Sequence, residues 1–99
     1  MRIISRRRLR EFWESQKTAS RESERDLSTW YKLAKNAQWY NFGHLRQTFG
    51  SADQVGNCVV FDVGNNRWRL IGRVFYSTTG GTGRIYVLRV MDHKEYDEG

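Results

Sequence analysis

Hydrophobic and polar positions alternate along this chain with two different periods, helical in the first half and strand-like in the second. The opening Arg2-Ile3-Ile4-Ser5 is short and β-branched, and predicts a strand. Ser5 stands where a helix N-cap belongs, with a hydroxyl able to accept from a free amide of the first turn. Leu9, Phe12 and Trp13 then fall at i, i+3 and i+4, an apolar stripe of helical period. At about 100° per residue, Arg6, Arg7 and Arg10 cluster on an adjoining face. The first helix is therefore expected to be amphipathic with a basic flank.

Residues 16–22 are polar and read as a connection. A second helix is expected over 23–36, with Leu27, Trp30, Tyr31, Leu33, Ala34 and Ala37 on one side and Arg25, Lys32 and Lys35 on the other. Residues 41–49 predict a short third helix anchored by Phe42, Leu45 and Phe49, with His44 in a structural place beside them.

From Gly50 the period drops to two. Residues 57–63 put Val59, Phe61 and Val63 on one side, with Cys58 and Val60 on the other. Gly64-Asn65-Asn66 tolerate positive φ and read as a hairpin turn. Over 67–77, Trp68, Leu70, Gly72, Val74 and Tyr76 form an apolar row destined for the helices. The opposite row carries Arg67, Arg69, Ile71, Arg73 and Phe75. Residues 78–83 read as a glycine-rich hairpin loop. A last strand over 84–91 is expected to put Tyr86, Leu88 and Val90 on one side and Val87, Arg89 and Met91 on the other. Helices first and an antiparallel sheet after them imply an α+β fold of two layers.

With 99 residues, the chain has room for one domain over 1–99 and one small core. Hydrophobic residues make up 38%, enough to exclude disorder. Cys58 is the single cysteine, which excludes a disulfide scaffold and suits a reducing compartment. The longest apolar runs, such as Val59-Val60-Phe61, are far short of the ~20 residues of a membrane span. A cytoplasmic protein is expected. The net charge of +6 then matters, because a small basic domain is drawn to polyanions or to an acidic partner.

Several candidate chemistries can be weighed. Gly80, Gly81 and Gly83 lack the following helix that a phosphate-binding loop needs, so the hairpin reading is preferred. His44, Cys58 and His93 show no zinc-ligand spacing, and neither metal nor cofactor is expected. Asp92-His93-Lys94-Glu95 has the spacing of a capping box. A helical turn there would put His93 and Tyr96 on one face, with the imidazole suited to proton transfer near neutrality. Arg67, Arg69 and Arg73 share a row that Ile71 and Phe75 make half apolar, and Arg89 has the parity to join them. Guanidinium forks on a sheet suit phosphate oxygens, and interleaved aromatics can stack bases. On residue chemistry alone, a nucleic-acid face and plain surface charge both stay open.

Five features together resemble HigB-type toxins of bacterial toxin–antitoxin systems, within the RelE/ParE superfamily. They are Met-Arg-Ile-Ile-Ser with its basic helix, Trp30-Tyr31, Trp39 with Phe42, the hairpin around Gly64-Asn65-Asn66-Arg67-Trp68-Arg69-Leu70, and the ending His93-Lys94-Glu95-Tyr96-Asp97. The resemblance runs from Arg2 to Asp97. It implies helices packed on a small antiparallel sheet and a ribosome-associated mRNA endoribonuclease that needs no metal. It also implies inhibition by a cognate antitoxin, a small helix-turn-helix protein encoded nearby. By position, Arg69 matches the family's hairpin arginine, and His93, Tyr96 and Asp97 match its C-terminal motif. Arg69 would stabilise charge on phosphate with Arg73 or Arg89 assisting, and His93 would transfer a proton. Tyr96 would position the nucleotide or share in proton transfer, and Asp97 would orient a neighbour. Arg6, Arg7 and Arg10 would hold ribosomal RNA. The glycine-rich loop is longer than the family's compact hairpin. Two alternatives stay open: a non-catalytic basic module that binds RNA, ribosome or antitoxin, and a gyrase-poisoning branch of the same superfamily.

Overall fold

A computed structural model describes residues 1–16 and 20–92. Eight elements follow in order: β1 (Arg2–Ile4), α1 (Arg6–Ser15), α2 (Ser20–Asn36), α3 (Phe42–Thr48), β2 (Asp53–Val55), β3 (Cys58–Val63), β4 (Trp68–Phe75) and β5 (Arg84–Asp92). The sequence reading missed only β2, a three-residue strand without an alternating apolar pattern. His93, Tyr96 and Asp97, with the capping-box reading of the tail, lie outside the described residues.

α1 and α3 start within a residue of where the sequence places them, by two different means, whereas α2 begins at Ser20, inside the stretch read as a connection. Asn41 caps α3 in the expected way, its Oδ1 accepting from the His44 amide at 2.8 Å. Ser5 precedes α1 but makes no side-chain cap. It is left-handed (φ 71°), so its carbonyl, not its hydroxyl, meets the Arg8 amide at 2.9 Å. The chain must turn from an edge strand straight into a helix, and that turn takes precedence over the hydroxyl bond.

One five-stranded sheet, in the order β1-β5-β4-β3-β2, carries all three helices on one face. β2 to β5 pair antiparallel as expected, whereas β1 runs parallel to β5, with Arg2 beside Arg84 and Ile4 beside Tyr86. A strand that opens the chain and a strand that ends the sheet can pair this way because the helices between them form the crossover. The fold is α+β, with a mixed sheet.

Leu9 of α1, Leu27, Trp30 and Ala34 of α2, and Leu45 of α3 meet Phe61, Val63, Trp68, Leu70, Ile85 and Val87 of the sheet. Each fully buried leucine contributes about 1.5–3 kcal/mol. Phe61 is the hub, with Trp30 and Phe49 rings each 5.3 Å from it at steep angles. Phe12 meets the Trp68 ring edge-on at 5.6 Å, which fixes α1 over the β3–β4 hairpin. Trp68 Nε1 donates to Asp26 of α2 at 3.0 Å.

The glycine-rich segment is a hairpin, as read. Thr78 and Gly81 bridge to each other, while Ser77 donates its amide to the Trp39 carbonyl at 2.8 Å. Gly83 is buried, and a Cβ there would strike the Phe75 carbonyl and the Met1 side chain. The loop is thus tied to the body of the protein at its base.

Gly56 and Gly64 both have positive φ, at 59° and 64°. A Cβ on Gly56 meets open space, whereas one on Gly64 would overlap the Asp26 carboxylate. In urea unfolding, Gly56→Ala should lower stability by about 1 kcal/mol from left-handed strain alone. Gly64→Ala should cost about 3 kcal/mol or more, since the same strain is joined by loss of the Asp26–Trp68 bond.

Candidate active site on the open face of the sheet

Alternation along β4 sends Trp68, Leu70 and Gly72 into the core and Arg69, Ile71, Arg73 and Phe75 to the face the helices leave uncovered. Register carries that face across the sheet, because directly opposed residues share a side. Asp62 and Met91 flank Arg69, and Val60 and Arg89 flank Ile71. Farther along, Arg73 lies beside Tyr86 and Phe75 beside Arg84.

β5 departs from the expected alternation. The register shifts between Ile71 and Gly72, since Gly72 pairs with Val87 but Ile71 pairs with Arg89, leaving Leu88 as an extra residue. Ile85, Val87 and Val90 therefore face the core, while Arg84, Tyr86, Arg89 and Met91 share the open face. The expected grouping of Tyr86 with Val90 and of Val87 with Arg89 is corrected accordingly. A strict period of two cannot survive a one-residue insertion.

Arg69 is the most deeply set of these cations, 8% exposed between Val60 and Met91, which are also buried. Its Nη1 donates to Asp62 Oδ1 at 3.0 Å and makes a longer contact to the Asn66 carbonyl at 3.5 Å. A carboxylate beside a guanidinium in apolar surroundings holds its plane in one orientation. That is the property a preorganised oxyanion donor requires. Sequence reasoning did not single out Asp62. The signal was a lone acid in an apolar strand, at the parity of Val60. Arg89 stands one row away and diagonal to Arg69. β5 then carries the chain to Asp92, opposite Trp68.

The remaining expected cations fall elsewhere. Arg67 belongs to the turn before β4, where alternation has not begun. It reaches Glu22 of α2 at 2.9 Å instead of joining the Arg69 row. Arg6, Arg7 and Arg10 are on the helical layer, across the sheet from Arg69. Arg7 pairs with Glu11 at 3.1 Å, Arg10 with Glu14 at 3.9 Å, and the Arg6 guanidinium sits 4.6 Å from the Tyr31 ring centre. A cleft of about 440 Å³ opens there between α1 and α2, with Arg6, Trp13, Tyr31 and Lys35 among its walls. Among the described residues its walls hold no carboxylate, imidazole or thiol for acid–base work.

Other candidates are quickly placed. His44 is exposed and accepts the Tyr40 amide through Nδ1 at 3.4 Å, next to the α3 cap. Cys58 is free and half-buried. Burial raises the Tyr76 phenol above its ordinary value of 10, so it stays protonated at neutral pH. Among the described residues no three His, Cys, Asp or Glu side chains gather as a metal site, and no helix is long and apolar enough to cross a membrane.

With the geometry in place, comparison with known families is decisive. The model of the HigB toxin family, described as the RelE-like toxic component of a toxin–antitoxin system, matches residues 23–99. The chain belongs to the HigB toxin family. The match takes in every strand from β2 to β5, hence Asp62, Arg69, Arg73 and Arg89, but leaves β1 and α1 outside. Membership in this toxin family implies a cognate antitoxin as partner. No curated protein matches the chain.

The Arg69–Asp62 pair should differ in weight from the pairs on α1. Asp62→Asn should lower unfolding free energy by about 1–3 kcal/mol, because a charged hydrogen bond in a largely buried setting is lost. Glu11→Gln, which disrupts an exposed pair, should change it by less than about 0.5 kcal/mol. Denaturant titration of both variants checks the contrast.

Proposed function

We propose that this HigB-family toxin is a ribosome-associated mRNA endoribonuclease whose chemistry uses no metal. The 2′-hydroxyl of the RNA attacks the adjacent phosphorus. The O2′–P bond forms as the P–O5′ bond breaks, leaving a 2′,3′-cyclic phosphate and a free 5′-hydroxyl. One proton leaves the 2′-oxygen and one must reach the departing 5′-oxygen. Negative charge grows on the non-bridging oxygens in between.

The observation that carries this reading is Arg69: buried, braced by Asp62, and set on the open face with Arg89 in the next row and Arg73 two rows away. In this mechanism Arg69 stabilises the phosphorane, with Arg73 or Arg89 assisting. His93 moves a proton, Tyr96 positions the nucleotide or shares in proton transfer, and Asp97 orients a neighbour. Arg6, Arg7 and Arg10 take ribosomal RNA on the opposite side of the molecule. Their exposed ion pairs with Glu11 and Glu14 are worth little, so exchanging them for phosphates is easy. The proposed partner is a helix-turn-helix antitoxin encoded by a neighbouring gene, whose acidic segment is drawn to the basic face.

Induced expression followed by mapping of mRNA 5′ ends tests the proposal. New 5′-hydroxyl ends inside coding frames are expected. Arg69→Ala should reduce their formation by about 10²–10³-fold, as for loss of a donor to a developing oxyanion. His93→Ala should reduce it by about 10²–10⁴-fold. DNA-damage signalling without new RNA ends would point to the gyrase-directed branch, and unaffected growth would count against a toxin.

A further inference from the structure

The end of the open face away from Arg69 holds a second arrangement. The Arg84 guanidinium lies 4.3 Å from the Phe75 ring centre and 5.7 Å from that of Tyr86. Its Nε also donates to the Tyr86 hydroxyl at 3.1 Å. Phe75 and Tyr86 meet edge to face at 5.7 Å, and the Arg73 guanidinium approaches Phe75 from its own strand at 5.1 Å. Arg2 completes the group from β1, directly opposite Arg84.

This grouping is unfavourable for the free protein. Like charges directly opposed on a sheet destabilise it. Among the described residues no carboxylate stands within ion-pair distance of Arg2, Arg73 or Arg84, as is also true of the separate surface arginines Arg8, Arg21 and Arg46, whereas Arg7, Arg10, Arg25, Arg67 and Arg69 each have one. An anion would relieve the repulsion. The rigid rings and the pinned Arg84 plane meanwhile present flat surfaces of the kind that unstacked bases occupy.

We propose that Arg73, Phe75, Arg84 and Tyr86 form a nucleotide subsite for single-stranded RNA. Arg73 and Arg84 clasp a backbone phosphate, and the adjoining base stacks on the Phe75–Arg84–Tyr86 array. The proposal rests on the RNA-directed reading above, but on binding and not on cleavage. Arg73 is four residues from Arg69, about 13 Å at a strand rise of about 3.3 Å per residue. The subsite therefore takes a different nucleotide from the one at Arg69, which leaves Arg89 as the assisting cation there, and sets the register of the strand across the sheet.

A 2′-O-methylated hexaribonucleotide, which the proposed chemistry cannot cut, provides the probe, with one 2-aminopurine moved along it. Emission of 2-aminopurine should be quenched at one position of the bound oligomer. Phe75→Leu, Tyr86→Leu and Arg84→Met should each weaken binding by roughly 5- to 100-fold and remove that quenching. Arg73→Gln with Arg84→Gln should lower the slope of log affinity against log salt by about 0.7, the value for one phosphate no longer neutralised on a single strand. Arg73 and Arg84 are exposed, so these variants keep the test open should Phe75→Leu fail to fold.

Affinity within twofold of the parent, with quenching and salt slope unchanged, would overturn the subsite. So would variants that lose the antitoxin yet keep the oligomer. If the oligomer behaves as expected but no cut mRNA ends arise in cells, the endoribonuclease proposal falls and the subsite stands. If cut ends arise and the platform variants bind normally, only the subsite falls.

Discussion

Every side chain that β5 lends to the open face is where it is because this strand has one residue more than β4 over their shared length. Without Leu88 as the extra residue, strict alternation would place Arg84 and Tyr86 on the face opposite Arg89 and Met91. One of the two β5 arginines would then point into the hydrophobic core. With the bulge, valines before and after it, Val87 and Val90, both face the helices, and the arginines before and after it both face out. Bulges bend and twist their strand locally. The bulge also divides that surface into two regions. One is the buried Arg69–Asp62 pair with Arg89 nearby, and the other is the exposed arginine–aromatic array at Phe75.

Charge pairing separates the two sides of the protein more sharply than charge density does. The helical layer is rich in arginine, yet Arg7, Arg10, Arg25 and Arg67 each have a carboxylate, and Arg6 lies over Tyr31. Such exposed pairs are screened and easily exchanged, so they favour loose attachment to a large polyanion. On the open face, Asp62 serves a different purpose. It stands beside a buried guanidinium and fixes its orientation, so the reorganisation that a mobile arginine would undergo on meeting phosphate has already been made. A basic protein of net charge +6 attracts an acidic partner from a distance.

The helices and four of the five strands were legible in the residue pattern. The Leu9–Phe12–Trp13 stripe, the positive-φ turn at Gly64-Asn65-Asn66 and the alternation through β4 each act within a few residues. The arginine row of β4 could be read for the same reason, since alternation inside an uninterrupted strand is a property of its own backbone. Arg67 was misplaced only because its strand begins one residue later. Asp62 was overlooked because an acid on a strand is informative only when its cross-strand neighbour is known.

By itself, then, the sequence determined the α+β class, the single small core, the basic character and the row containing Arg69, all consequences of local period and composition. Tertiary structure alone decided the parallel pairing of β1 with β5, the bulge at Leu88, the Asp62 partner of Arg69 and the meeting of Arg84 with Phe75. These depend on how residues far apart in the chain are aligned. Register between strands is settled by the fit of whole faces against the core, and no short window of sequence contains that fit.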